Sequence, residues 1–182
     1  MGYHLNKNLL AMKNNFQVAA LFAALLIGIA VAAISCGRSS EKQQEDALEN
    51  AIEQGGNTNA DVDIDQDKIS IETDEGKIEI SNTTGKNWPE DAPDIVPEFR
   101  AGTITGITRS ESDGNKSWMI RYEGVPEYEL DKYNASLKVK GFKTMIVKSG
   151  KGGMVNGNKD NVTVIMTIGP ESGAISISQQ AK

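Results

Sequence analysis

Histidine and cysteine are nearly absent from this chain of 182 residues: there is one of each, His4 and Cys36. From Gly37 onward there is neither. The polar part of the chain therefore cannot build a Ser-His-Asp or Cys-His nucleophile system, a histidine general base or a zinc site of Cys/His type. An enzyme made from it would have to work with carboxylates, Lys, Tyr or Ser alone, so the expectation is a non-catalytic protein without a cofactor. Basic residues are also in the minority, with 19 Lys and Arg against 25 Asp and Glu and a formal net charge of −6. Phosphate binding depends on clustered Lys and Arg, so nucleic acid is not an expected partner.

One long apolar run is present. Val18 to Ile34 contains no charge, Lys7 and Lys13 lie upstream of it, and Ser35-Cys36-Gly37 ends it before Arg38-Ser39-Ser40-Glu41. A cationic head, an apolar middle and small residues at the boundary make the pattern of a secretory signal. A permanent spanning helix needs about 20 apolar residues, so the run is marginal in that role. The junction Ala33-Ile34-Ser35-Cys36-Gly37 resembles a bacterial lipobox, with Ala33 where the family usually has Leu. The resemblance implies cleavage after Ser35 and lipidation of Cys36, which becomes the first mature residue. Each buried methylene of the lipid contributes about 0.8 kcal/mol, and two or more chains hold a protein stably. The implied location is the membrane, on its extracytoplasmic side, and Gly37 rather than Asp permits transport to an outer membrane where the cell has one. Met12-Lys13-Asn14-Asn15 is itself a normal signal opening, which makes Met12 a candidate true start.

Removing residues 1–35 takes away two lysines, His4 and no acid, so a net charge of −6 becomes −8. That charge is unevenly spread. Residues 41–98 hold 17 acids and 4 bases, whereas residues 99–182 hold 8 acids and 12 bases. Residues 36–60 read as a polar tether, in which Ala47, Leu48, Ala51 and Ile52 are spaced for a short amphipathic helix of about three turns, marginal on its own.

Residues 61–81 change to a period of two, the pattern of an acidic three-stranded meander. A turn at Gln66-Asp67 sets Ile64 opposite Ile69, Val62 opposite Ile71 and Asp65 opposite Lys68, a favourable cross-strand pair. A second turn at Asp74-Glu75-Gly76-Lys77 is expected to set Ile71 opposite Ile80 and Glu72 opposite Glu79. Asp61, Asp63, Asp65, Asp67 and Glu72 fall at positions 1, 3, 5, 7 and 12, as the oxygen ligands of an EF-hand loop do. Gln66 stands where that loop needs Gly, and Val62 and Ile64 belong to a strand, whose alternation puts the aspartates in a row. The preferred reading is a solvated strand face; its alternative is weak Ca²⁺ binding by Asp61, Asp63, Asp65 and Asp67.

Residues 82–100 form a connector with Pro89, Pro93 and Pro97, expected to run extended with Trp88, Ile95, Val96 and Phe99 pressed on the domain. The segment Trp88-Pro89-Glu90-Asp91-Ala92-Pro93-Asp94-Ile95-Val96-Pro97 resembles one in exported bacterial lipoproteins, where it also separates an acidic strand-rich segment from a C-terminal α+β module. The likeness spans roughly residues 60–180 and implies no activity.

Residues 101–182 make the α+β module. Thr103–Arg109 and Ser117–Glu123 form a hairpin around Asp113-Gly114, with Trp118, Ile120 and Tyr122 on one face. Pro126 opens a helix to Lys140, its Leu130, Tyr133 and Leu137 form one buried stripe, and Gly141 stops it. A strand from Phe142 to Lys148 ends at Gly150-Lys151-Gly152-Gly153. This break lacks the Lys-Ser/Thr and helix of a phosphate loop and reads as a hairpin turn. Val162, Val164, Met166 and Ile168 share a strand face, and Ala174–Ser178 is expected at the sheet edge.

The fold expected is α+β: an antiparallel sheet with one main helix, ββα followed by about three strands, with the acidic meander extending it or lying beside it. The function expected is a lipid-anchored, non-catalytic module binding a protein or another component of the cell envelope. Two alternatives stand beside it: the Ca²⁺-dependent module above, and a hydrolase using Glu127, Glu129 and Asp131, acids that the positive end of the helix dipole also explains.

Overall fold

The computed structural model describes residues 41–54, 59–81, 87–170 and 172–182. The leader, Cys36 and the start of the tether lie outside the described residues. The rest forms a nine-stranded, wholly antiparallel open sheet with two helices among the described residues. In chain order the elements are α1 (Glu41–Gln54), β1 (Ala60–Asp65), β2 (Lys68–Thr73), β3 (Gly76–Ser81), β4 (Thr103–Ser112), β5 (Asn115–Glu123), α2 (Glu129–Val139), β6 (Lys143–Ser149), β7 (Gly152–Lys159), β8 (Val162–Ile168) and β9 (Ser172–Gln179). The spatial order is β1-β2-β3-β4-β5-β9-β8-β7-β6.

The meander does extend the sheet, through pairing of β3 with β4. Its first hairpin has the expected register, with Ile64 opposite Ile69, Val62 opposite Ile71 and Asp65 opposite Lys68. The second hairpin differs. Asp74-Glu75 alone makes the turn, so Ile71 faces Ile78 and Glu72 faces Lys77 rather than Glu79. The tighter loop replaces a like-charge pair by an opposite one. Gly76, at φ 151°, sits where a side chain would run into the Glu111 carbonyl.

Within the expected tether, residues 41–54 form a docked helix. Ile52 is buried, and Glu45 and Glu49 accept hydrogen bonds from the Ile64 and Val62 backbone N–H groups at 3.0 and 3.1 Å. α1 thus covers the otherwise open edge of β1, which supplies the tertiary contact that a fourteen-residue helix lacks in isolation.

The main core lies on one side of β4–β9. Ile107, Ile120, Val155, Val164, Met166, Ile175 and Ile177 are fully buried there, covered by Leu130, Tyr133 and Leu137 of α2. The helix proper begins three residues after Pro126, whose carbonyl accepts from Glu129 N–H in a preceding turn. At its end Phe142 N–H donates to Leu137 O and Gly141 N–H to Lys138 O, with Gly141 at φ 86°, the double closure of a Schellman motif. Gly153 and Gly157 of β7 let the helix sit close: a Cβ at Gly153 would lie 2.7 Å from Leu130 Cδ2, and one at Gly157 3.3 Å from Leu137 Cδ1.

Four strands follow α2, and β9 is not an edge. It lies between β5 and β8, hydrogen-bonded on both sides, and β6 takes the edge. Residues 88–99 form a strap of two proline turns, Ala92 N–H to Pro89 O and Val96 N–H to Pro93 O, rather than an extended chain. As expected, it presses Val96 and Phe99 into the core with Trp88 and Ile95 beside them. Phe99 meets Tyr122 and Tyr133 edge-on at 5.0 and 5.5 Å, and Tyr133 OH donates to Pro97 O at 3.1 Å. Burial pushes the hydroxyls of Tyr122 and Tyr133 well above the usual phenol range, so both stay protonated.

Candidate functional site

Strand alternation fixes which side chains meet at the border between β3, β4 and β5. On the strap side of the sheet, Lys77 stands opposite Glu111, Glu79 opposite Arg109, Arg109 opposite Trp118 and Glu111 opposite Lys116. Asp91 of the strap descends onto this row. The result is a cleft of about 210 Å³ lined by Lys77, Glu79, Asp91, Arg109, Glu111, Lys116, Trp118 and two serines.

Every acid in the cleft is already partnered. Trp118 Nε1 donates to Asp91 Oδ2 at 2.9 Å, and Arg109 Nε donates to Asp91 Oδ1 and Oδ2 at 3.1 and 3.2 Å. Glu79 takes Lys68 and Lys77 at 3.2 and 3.3 Å, and Glu111 takes Lys116 at 3.5 Å. Burial pushes the Asp91 carboxyl up, but the bonds from Trp118 and Arg109 and the guanidinium charge outweigh it and hold Asp91 below its ordinary value. Glu79 is likewise lowered: its partial burial is outweighed by the two lysines.

The cleft balances three cations, Lys77, Arg109 and Lys116, against three carboxylates, Glu79, Asp91 and Glu111. It suits a dipolar or zwitterionic group better than a strongly charged one. Small-molecule pockets run to about 300–1,000 Å³, so its volume fits a side chain or a chain terminus rather than a whole metabolite. A wider hollow of about 710 Å³, lined by Glu123 to Pro126, Pro170 and Ser172, opens broadly to solvent and offers one carboxylate.

The residues singled out in the sequence lie elsewhere. Asp61, Asp63 and Asp65 line one face of β1 in a row, all exposed, and Asp67 sits in the following turn. Among the described residues no three acids, histidines or cysteines come together to hold a metal ion. Glu129 pairs with Lys132 along α2 at 2.7 Å and Asp131 with Lys148 of β6 at 2.6 Å. Neither they nor Glu127 line the two clefts described. The cleft residues gave no local signal, because Arg109 and Trp118 lie 18 and 27 positions from Asp91. The one hint was the proline-punctuated segment that carries Asp91. Compared with known proteins, the chain matches no family model, no curated protein and no solved structure.

Proposed function

We propose that the mature protein is a lipid-anchored, extracytoplasmic binding module of the cell envelope, held by acylated Cys36 and working without catalysis. The leader pattern ending at Ser35-Cys36 supports the location. The observation that carries the binding reading is the neutralised cleft. General acid–base work at neutral pH calls for a carboxyl raised toward 7, and Asp91 and Glu79 are both shifted the other way. Held charges on a rigid sheet border suit recognition of a polar group on a protein or envelope partner.

Metabolic labelling with a fatty-acid analogue tests the anchor: the wild-type chain takes label and Cys36→Ser does not. Unlabelled wild-type protein, or protein free in the cytosol, overturns it. Photocrosslinking from Asp94, on the strap beside Asp91, tests the cleft. A discrete adduct that disappears in Arg109→Glu supports it, and an adduct indifferent to that substitution removes it.

A further inference from the structure

The sheet offers solvent two different kinds of face, and one explains why the other is unusual. On β1–β3 the strap-side face is solvated and dense in charge: seven of its nine residues, from Asp61 to Glu79, are ionisable. On β4–β9 the face turned away from α2 and the strap is also uncovered among the described residues. There only Arg121, Glu123 and Lys143 of twenty-five strand positions carry charge. Most of the others are Ser, Thr and Asn, with exposed Met119 (48%), Met145 (58%) and Val147 (49%) and half-buried Met154 and Ile165. An antiparallel sheet commonly keeps one wet face, but where this protein does so it uses Asp, Glu and Lys.

We propose that this charge-poor face of β4–β9 is a homodimer contact, on which a second copy of the chain lays its own identical face to close a two-sheet sandwich. A two-fold interface brings a patch against itself, so a patch with a strong net charge excludes its own copy; this one carries two cations and one anion. The acids of β1–β3 point from the opposite side of the sheet and stay out of the contact. Size agrees as well. Six strands spaced about 4.8 Å apart, each about seven residues of 3.4 Å, give a footprint near 24 by 24 Å. Two copies then cover on the order of 1,100 Å² before side-chain relief is counted, above the roughly 1,000 Å² a specific interface needs. Sheets in such sandwiches pack about 10 Å apart with their strands within about 30°, which short Ser, Thr and Ala side chains allow. The contact requires neither the lipid anchor nor the strap cleft.

Disulfide trapping of the full chain in intact cells tests it. Met119→Cys, at the midpoint of β5 on this face, is expected to give a disulfide-linked dimer on non-reducing gels, beyond any background from the wild-type chain. Asp63→Cys, exposed on the other side of the sheet, is expected to give none. Adding Met145→Arg to Met119→Cys is expected to cut the trapped dimer about tenfold or more. Met145 is more than half exposed, so the unfolding midpoint stays put. Equal trapping by Met119→Cys and Asp63→Cys overturns the proposal, as does a Met119→Cys disulfide to a different polypeptide.

Discussion

The two halves of the sheet solve one problem in opposite ways. In β4–β9 the apolar residues face the strap side, and a helix and a proline strap cover them. In β1–β3 the strap side is charged, and Val62 and Ile71 are buried on the opposite face, next to the strand edge that α1 covers. The β3–β4 ladder runs through without a register shift, so the switch there is made by side chains. Its hinge is the β3–β4 register, where charged pairs meet on one face and Ile78 and Ile80 lie beside Ser110 and Thr108 on the other. A continuous backbone layer can carry two separate cores, and the polar cleft forms where one gives out and the other has not begun.

The largest effect tests whether the two cores are independent. Leu137→Ala empties a fully buried site under α2 and is expected to cost about 2–5 kcal/mol, seen as a lower denaturation midpoint. Ile71→Ala removes an equally buried side chain from the other half. Its faster hydrogen exchange is expected to stay within α1 and β1–β3, as local opening allows. Exchange rising equally across β7 and β8 would show that the sheet has one core and not two. Gly153→Ala comes next. The added methyl meets Val147 O at 2.5 Å and Leu130 Cδ2 at 2.7 Å, an overpacking expected to cost about 1–3 kcal/mol. A neutral result would mean that α2 slides freely over β7.

Those glycines also show where the sequence was opaque. The Leu130/Tyr133/Leu137 stripe and the Gly141 stop were legible because a helix and its cap are local. So was the first hairpin, whose register follows from one turn and one alternation. β7 was not: Gly152-Gly153, Asn156, Gly157 and Asn158 hide its alternation because the helix above needs glycine, not an apolar side chain, at two inward positions. β9 is the last strand of the chain and nothing local names its neighbours, yet topology places it between β5 and β8 and not at the edge. α1 reads as marginal from its own residues because the edge that holds it lies six to eleven residues beyond its end. The cleft left only the proline-punctuated segment as a hint, being assembled from three strands and the strap.

A smaller effect sharpens the account of α1. Glu45→Gln and Glu49→Gln keep an oxygen acceptor but remove its charge, and Glu→Ala at both sites removes the acceptor. Each lost bond is expected to cost about 0.5–1.5 kcal/mol. Amide exchange at Val62 and Ile64 is expected to rise in the alanine pair and much less in the glutamine pair. No change in either would mean that α1 rides on the Ile52 contact alone.

The smallest effect lies at the border itself and depends on pH. Asp91 is ionised more readily in the folded chain than its ordinary value of 3.8. Its contribution to stability is therefore complete above that value and disappears as the pH falls through the lower, folded one. Its side chain is 54% exposed, so solvent screens the pair with Arg109 and the contribution is small. Asp91→Asn keeps an acceptor for the Trp118 indole but leaves Arg109 without its counter-ion. The variant is expected to unfold at a slightly lower denaturant concentration than the wild type at neutral pH, and the gap is expected to close in strong acid, where both carry a neutral group at 91. Trp118→Phe removes the indole donor and is expected to bring the folded pKa of Asp91 back toward its ordinary value, which carboxyl NMR titration reads directly. A gap between Asp91→Asn and wild type that stays constant from neutral pH into strong acid would mean that Asp91 positions the strap through hydrogen-bond shape alone. The charge balance of the cleft would then be incidental to its recognition.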